Sequence, residues 1–300
     1  MNRVTQHPLQ AFAAALAAVA VLSIMDAVMK HLVLAIGIFA VSIWRSLLNL
    51  GLTAGLYLPR RMPWPNRSTL RIHVIRGVVV MVMAGLFFWG IGRVPLAQAI
   101  ALTFIAPLIA LLLAAAFLHE RVGPRSIAGS IIAFGGVLVI VLGQARADVG
   151  TEVLLGSIAI IGSALCYALN IVLMRHQSLA AEPFEINFFQ SLTVMVLWLA
   201  LVPFVGRPAL PDGQWVWVIV ASLLSTTGGL IFSWAYARGQ ASYLAATEYS
   251  GFIWASVCGW VVFQETVSHY TLAGAALIVG GCIVAARGKI PEPGEVEVAT

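Results

Sequence analysis

The sequence predicts an all-α integral membrane protein in which ten transmembrane helices form two inverted five-helix repeats. The class follows from composition, because 61% of the 300 residues are hydrophobic and only 10% are charged, far from the values of soluble domains. The repeat follows from one long stretch. WGIGRVPLAQAIALTFIAPLIALLLAAAFLHE, from Trp89 to Glu120, returns 145 residues later as WAYARGQASYLAATEYSGFIWASVCGWVVFQE, from Trp234 to Glu265.

Apolar segments long enough to cross a bilayer as helices, about 20 residues each, occur ten times along the chain. The loops between them are short and carry Pro or Gly, which leaves no room for a separate soluble domain. The predicted spans are 9–29, 37–58, 72–91, 96–118, 126–142, 153–174, 184–205, 215–237, 241–263 and 270–286.

The two copies keep one constant offset well beyond the opening stretch, so that Met-Lys-His at 29–31 corresponds to Met-Arg-His at 174–176. Because each copy holds an odd number of spans, the copies enter the membrane in opposite senses. We therefore expect a first repeat over residues 1–145, a second over 146–288 and a disordered cytoplasmic tail over 289–300. Two such halves can open a shared central cavity to either side in turn, which predicts a transporter.

The distribution of basic residues predicts that both termini are cytoplasmic, in a multi-pass protein of a bacterial-type inner membrane. With that orientation only Lys30, Arg93, Arg146 and Arg207 lie outside. The basic cluster between the second and third spans is typical of a topology determinant beside anionic lipid headgroups, and nothing indicates nucleic-acid binding. The basic residues expected inside are Arg3, Arg60, Arg61, Arg67, Arg71, Arg76, Arg121, Arg125, Arg175, Arg238, Arg287 and Lys289.

Motifs of catalysis do not stand out in the sequence. Clustered His or Cys ligands, a nucleophile elbow and a phosphate-binding glycine loop are not found, so we expect no enzyme activity, no cofactor and no metal. Gly135, Gly136, Gly280 and Gly281 lack the strand context of nucleotide binding and predict close helix packing instead.

The stretch RVPLAQAIALTFIAPLIALLLAAAFLHERV, the glycine-rich AGSIIAFGGVLVIV, and their counterparts ending FQETV and LAGAALIVGGCIVAA resemble the EamA-type members of the drug/metabolite transporter superfamily. The resemblance covers residues 9–288. It implies ten helices, cytoplasmic termini, a cavity between the halves and peripheral fifth and tenth helices that would support a homodimer. MDAVMKHL followed by WRSLL resembles the branch that moves amino-acid-like or nucleoside-like metabolites, and the resemblance implies export. The second copy departs from the first, having Gly251 and Phe252 in place of Ala106 and Pro107.

Glu248 is the leading candidate for a functional charge, because it lies inside the ninth span where the first repeat has Thr103. Charged groups within a bilayer are costly and mark functional sites by default. The carboxyl group would bind a substrate ammonium group or carry a coupled proton. A structural ion pair or hydrogen-bonded carboxylate that fixes two helices is the alternative.

Arg45 lies inside the second span next to Trp44, and its repeat equivalent is the neutral Gln190. A guanidinium group there can bind a substrate carboxylate through two parallel hydrogen bonds, with Trp44 as an adjoining wall. Pairing of Arg45 with Asp26 in a buried bridge is the alternative.

Two further ionisable residues are candidates for proton coupling, each with a structural alternative. Asp26 has the spacing for an ion pair with Lys30 at i+4. His73 opens the third span near the inner surface, where a histidine is often only a solvated polar group. Glu120 and Glu265 are expected to brace neighbouring helix ends. The remaining candidates for substrate contact are Gln98, Trp89, Tyr167, Asn170, Gln190 and Tyr243.

Together these features predict a secondary transporter of small polar or amphipathic metabolites, with amino acids and their derivatives favoured. Arg45 would bind the carboxylate, and the coupling ion would be a proton. The alternative class is a non-transporting membrane protein, either a scaffold or a membrane enzyme, and a closed, dry centre would favour the scaffold.

Overall fold

The structure is a computed structural model that describes residues 8–61, 64–106, 109, 124–146, 150–238, 247–248 and 250–286. Ten α-helices lie within these ranges. No strand occurs within these ranges, which confirms the predicted all-α class with two five-helix repeats. The helices are α1 Pro8–Ile36, α2 Ile38–Tyr57, α3 Arg67–Ile91, α4 Leu96–Thr103, α5 Pro124–Arg146, α6 Thr151–Ala180, α7 Pro183–Val205, α8 Trp215–Arg238, α9 Ser250–Phe263 and α10 His269–Ala286.

Six of these helices, α1, α2, α3, α6, α7 and α8, are long and apolar enough to cross a membrane. The helices α5 and α9 contain shorter apolar runs, Ile127–Gly143 and Ser250–Phe263. Many large apolar side chains on the outer surface are exposed, such as Ile131, Phe134 and Val261, as expected for helices that face lipid rather than water. The protein is a multi-pass membrane protein.

Several helix boundaries differ from the sequence-based expectation. The helix α1 continues to Ile36 rather than ending at Met29, because the buried Lys30 is neutralised by an acidic partner and does not have to reach water. The helix α3 begins at Arg67 instead of Ile72, since the side chain of Asn66 accepts a hydrogen bond from the Thr69 amide at 2.8 Å and caps the helix. About half of the predicted fourth span, including Pro107, lies outside the described residues, and so does Glu120.

The packing of the helices follows the repeat. The helix α1 packs along α8, and its repeat equivalent α6 packs along α3, the equivalent of α8. The equivalent helices α2 and α7 pack on each other, and so do α4 with α9 and α5 with α10. This exchange of partners is what an inverted repeat with a pseudo-two-fold axis requires.

Two reciprocal glycine contacts place the pseudo-two-fold axis between α5 and α10. A Cβ atom added at Gly136 would lie 2.6 Å from the backbone oxygen of Gly274. One added at Gly281, the repeat equivalent of Gly136, would lie 2.5 Å from the oxygen of Gly129, the equivalent of Gly274. These contacts confirm the predicted packing role of Gly136 and Gly281. The same prediction is wrong for Gly135 and Gly280, where an added Cβ would meet nothing within 4 Å.

Replacing Gly136 with alanine is expected to lower the thermal unfolding midpoint of the detergent-solubilised protein. The added methyl group must push α10 away, and overpacking of this kind costs roughly 1–3 kcal/mol. Gly280→Ala is the matched control, since it adds the same methyl group to open space and should leave the midpoint unchanged or raise it slightly. Equal midpoints for the two variants would contradict the packing role of Gly136.

Candidate functional site

A central cavity of about 330 Å³ lies between the two repeats. Residues of both halves line it, and apolar side chains such as Phe87, Phe88 and Phe232 alternate with polar ones. A mixed, concave site of this kind is typical of small-molecule binding. The polar lining consists of Ser23, Asp26, Arg45, Ser46, Asn49, Thr53, Arg76, Thr103, Ser163, Tyr167, Asn170, Asn187, Gln190, Ser191, Ser225, Thr226, Ser233 and Glu248.

Arg45 brings a positive charge into this cavity from the middle of α2. Its side chain is buried, with 8% relative exposure, and its Nη1 donates to the hydroxyl oxygen of Ser225 at 3.2 Å. The guanidinium carbon lies 5.3 Å from the centre of the Phe88 ring. Among the residues that the structure describes, its Nε has no hydrogen-bond partner. A buried, unpaired donor of a charged group is costly, so this side of the guanidinium is suited to bind an anionic ligand group.

Asp26 and Glu248 bring two carboxyl groups to the same cavity. Tyr236 donates a hydrogen bond to Glu248 Oε1 at 3.0 Å, and Tyr167 also donates to this carboxyl group. Among the residues that the structure describes, neither Asp26 nor Glu248 forms an ion pair within 4 Å. The electrostatic influence of Arg45 reaches Asp26 without direct contact. The direct Arg45–Asp26 bridge, one of the two sequence-based alternatives, is therefore not formed in this conformation.

Arg76 is a cavity residue that the sequence-based assignment missed. It was expected at the cytoplasmic surface, yet only 5% of it is exposed, and it lines the cavity. Its Nε donates to Asn170 Oδ1 at 2.8 Å and its Nη1 to Gln177 Oε1 at 2.6 Å. Its position after His-Val-Ile and before Gly-Val-Val-Val, an apolar run, was the available signal.

Further polar residues of the lining also escaped the sequence analysis, because Ser, Thr and Asn are ordinary in membrane helices. Asn49 Nδ2 donates to Ser225 Oγ at 3.3 Å, which joins α2 to α8 beside Arg45. Asn187 lies on α7, and its Nδ2 donates to Ser233 at 3.4 Å. The first contact ties the two repeats together beside the cavity, and the second joins two helices of the second repeat.

The structure brings six of the predicted site residues together and leaves others apart. Those that line the cavity are Asp26, Arg45, Tyr167, Asn170, Gln190 and Glu248. Tyr243 lies outside the described residues.

Three predicted contact residues point to other partners instead. Trp44 donates to the Ala209 carbonyl at 2.8 Å and packs on Trp215, towards one end of α2. Gln98 donates to Ser157 at 3.4 Å. The Arg93 guanidinium lies 3.6 Å from the Trp89 ring, a contact that Arg238 and Trp234 repeat in the second half at 4.2 Å. The recurrence of Trp89 across the repeat therefore reflects a shared structural turn.

His73 is fully buried, which corrects the expectation of a solvated histidine near the membrane surface. The imidazole ring stacks on Phe189, with ring centres 4.9 Å apart, and its Nε2 lies 3.0 Å from Glu185 Oε1. Burial follows because α6 and α7 cover this end of α3.

The predicted pairing of Asp26 with Lys30 is wrong. Lys30 pairs with Glu265 and donates to the Val94 carbonyl at 2.7 Å. The other oxygen of Glu265 accepts from the Leu96 amide at 2.8 Å, which confirms that Glu265 braces a helix end. Asp26 faces the cavity instead. The contacts of Glu265 with Lys30 and with the Leu96 amide form a junction that ties α1 and the segment after α9 to the start of α4. Glu120, for which the same role is expected, lies outside the described residues.

The cavity and this junction lie towards opposite membrane faces. The cavity reaches Thr53, Asn187 and Ser233, which are within five residues of the helix ends on the side where α1 begins. Lys30 and Glu265 lie on the side where α1 ends and α4 begins. The cavity thus extends further towards the side of the membrane where α1 begins than towards the other side.

The sequence of this chain is similar to those of several known bacterial transporters. The chain is 27% identical to the pseudopaline exporter of Pseudomonas aeruginosa strain UCBPP-PA14 over 227 residues, 75% of this chain and 78% of the exporter. It is 25% identical to the riboflavin transporter of Vibrio cholerae, with 92% of each chain covered. It is 30% identical to the probable terminal-alkyne amino-acid exporter of Streptantibioticus cattleyicolor, with 66% of this chain and 67% of that one covered.

A solved crystal structure shares the fold, with a TM-score of 0.62 and 20% sequence identity over 93% of this chain and 95% of the other. The family profile of the EamA-like transporters matches twice, over residues 9–142 and 154–287. These two matches span nearly all of the helices described above. The chain therefore belongs to the EamA-like transporter family of the drug/metabolite transporter superfamily.

Proposed function

We propose that this transporter is a secondary active exporter of small zwitterionic metabolites, with amino acids and their derivatives as the substrate class. The observation that carries the proposal is the Nε of Arg45, which has no hydrogen-bond partner among the described residues, in a cavity that also holds Asp26 and Glu248. The guanidinium group binds the substrate carboxylate, and a carboxyl group of the protein binds the ammonium group. Exporters among the named relatives support the direction of transport.

Alternating access supplies the mechanism that we propose for this site. The inverted repeat allows the two halves to exchange conformations around a fixed site, and the cavity lies between those halves. Its deeper lining on the side where α1 begins fits a conformation that takes substrate from that side. The excess of basic residues on that side supports a cytoplasmic location for both termini, in a bacterial inner membrane.

Proton coupling completes the proposal, with Glu248 and Asp26 as carriers. A carboxyl group can alternate between a charged form and a protonated form, and one that lines the substrate cavity can exchange a proton for a substrate cation. Tyr236 and Tyr167 hold Glu248 in place through their hydroxyl groups. The ion gradient would then drive substrate out of the cell.

A second candidate substrate class is a neutral, planar aromatic compound such as a flavin. Phe87, Phe88 and Phe104 line the cavity together with the side-chain amides of Asn49 and Gln190. Aromatic faces and amides of this kind suit stacking and hydrogen bonding of an uncharged ring system. A non-transporting scaffold is less well supported, because the centre contains a cavity lined in part by charged and polar side chains rather than a closed core.

Counterflow in proteoliposomes tests the proposed function. Liposomes preloaded with unlabelled alanine, leucine, methionine, phenylalanine, aspartate, uridine or riboflavin are given a trace of the same labelled compound. We expect transient accumulation of at least one amino acid, because exchange through a carrier needs no net driving force. Accumulation of riboflavin alone would favour the second candidate, and no accumulation above protein-free liposomes for any compound would overturn the transport proposal.

A further inference from the structure

A chain of hydrogen bonds connects the cavity to a fully buried histidine. It runs from Arg76 on α3 through Gln177 on α6 to His73, and from His73 to Glu185 on α7. All four side chains are buried, with relative exposures of 5% for Arg76, 1% for Gln177, 0% for His73 and 7% for Glu185. Of these four residues only Arg76 lines the cavity, so the hydrogen bonds link a buried histidine to the cavity lining.

The donors and acceptors in this chain fix the tautomer of His73. A guanidinium group can only donate, so the 2.6 Å contact with Arg76 Nη1 uses Gln177 Oε1 as the acceptor. The amide nitrogen of Gln177 then faces His73 Nδ1, and this nitrogen donates. His73 Nδ1 is therefore an unprotonated acceptor, and the ring proton lies on Nε2, which donates to Glu185 Oε1 at 3.0 Å.

Addition of a second proton to His73 is incompatible with this arrangement. Both ring nitrogens of an imidazolium ion donate, so Nδ1–H would face the NH₂ group of Gln177. The amide group of Gln177 must then turn, which presents its NH₂ group to Arg76 Nη1, again donor to donor. Arg76 loses its 2.6 Å acceptor and keeps only Asn170 Oδ1, which itself lines the cavity.

We propose that His73 is a proton-binding site of the transporter and that Gln177 is the positioning residue that passes its protonation state to Arg76. Protonation of His73 releases one side of the Arg76 guanidinium group for an anionic ligand in the cavity. Loss of the proton draws Arg76 back to Gln177. The inference deepens the proposed secondary transport, on which its role in coupling rests, and the cavity supplies the anion as a substrate carboxylate.

The surroundings of His73 permit both protonation states. Glu185 on α7 is the titratable group that contacts it from a neighbouring helix, Tyr57 on α2 lies near Glu185 rather than near the ring, and Arg76 lies one turn further along α3. Burial of the ring disfavours the imidazolium ion, the adjacent Glu185 carboxylate favours it, and the Arg76 guanidinium group opposes it. The described side chain that α6 presents to the ring is the neutral Gln177. Opposing charges on its two sides make the protonation of His73 responsive to the position of Arg76.

Nitrogen NMR of the full-length chain in lipid nanodiscs, labelled at histidine and arginine, tests the proposal without any substrate. We expect His73 to carry its proton on Nε2 at high pH and to gain a second proton between about pH 7 and 5, the lower part of the range in which histidines titrate, because burial disfavours the charged ring. The Arg76 Nε resonance should shift with the same midpoint. The variants His73→Gln and Arg76→Lys assign the two signals, and Gln177→Leu should separate the Arg76 signal from the His73 titration.

Transport provides the second measurement, with the panel compound that shows wild-type counterflow as the probe. His73→Gln should lose accumulation driven by a pH gradient by about tenfold or more when accumulation is expressed relative to the counterflow rate of the same variant, since the neutral amide binds no proton. His176→Gln is the matched control, because His176 is exposed one residue before Gln177.

Three results would overturn the proposal: a His73 that does not titrate in this range, an Arg76 signal that ignores the titration in the wild-type protein, or gradient-driven accumulation that His73→Gln leaves intact. The wild-type titration does not depend on whether Gln177→Leu folds. Absence of counterflow for the whole panel would refute the proposed function instead, while the NMR titration would still decide whether Gln177 links His73 to Arg76.

Discussion

Replacement of Arg45 with alanine is expected to raise the KM of the counterflow substrate by roughly 10- to 100-fold, the equivalent of one charge-assisted hydrogen-bond contact. The guanidinium group is buried against Phe88, and its Nε is available to a ligand. A substrate carboxylate that loses this partner stays in a largely apolar cavity without compensation for its lost hydration. Initial rates of exchange over a range of substrate concentrations measure the effect.

Two variants make the Arg45 prediction specific. Arg45→Lys keeps the charge without the planar pair of donors and should give an intermediate KM. Arg207→Ala removes an exposed cation from the loop after α7 and should leave the KM unchanged. A wild-type KM for a correctly folded Arg45→Ala protein would remove Arg45 from the binding site.

Replacement of Glu248 with glutamine should abolish substrate accumulation driven by a pH gradient, a loss of about tenfold or more, because an amide cannot carry the coupled proton. The change is nearly isosteric. The hydroxyl group of Tyr236, 3.0 Å from Oε1, can still donate to the amide oxygen, so expression and thermal stability should change little. Accumulation in proteoliposomes with an imposed pH gradient measures the coupling.

Glu152→Gln is the matched control for Glu248. The Glu152 side chain is 71% exposed and pairs with Arg93 at the surface, away from the cavity lining, so its neutralisation should not affect accumulation. Wild-type accumulation in Glu248→Gln would exclude this carboxyl group from proton coupling and leave Asp26 and His73 as the remaining carriers.

The charges of the cavity are distributed unequally between two repeats that share one fold. Arg45 and its neutral equivalent Gln190 both line the cavity, and so do Glu248 and its neutral equivalent Thr103. The shared residues, such as Gly136 and Gly281, form the contacts on which the pseudo-two-fold packing depends. Equivalent positions with different charge are therefore the positions at which we expect substrate selection.

Tertiary contacts explain why some sequence-based assignments failed. His73 and Arg76 follow several arginines that mark a membrane surface, and the local sequence does not show which groups they contact. Their partners Glu185 and Gln177 lie 112 and 101 residues further along the chain. Lys30 likewise suggested a pair with Asp26 at helical spacing, but its acidic partner Glu265 is 235 residues away.

The sequence by itself determined the membrane class, the ten-helix inverted repeat and six of the residues that line the cavity. It could do so because apolar run length, the constant offset of the repeat and the rarity of charge within apolar runs are properties of the linear chain. Only the tertiary structure decided which buried charge has a partner. A charge in a low-dielectric interior is stabilised by whichever groups the folded helices bring within hydrogen-bond distance. For Lys30, His73 and Arg76 those groups come from distant segments, while the part of the chain that the structure describes offers no hydrogen-bond partner to Arg45 Nε.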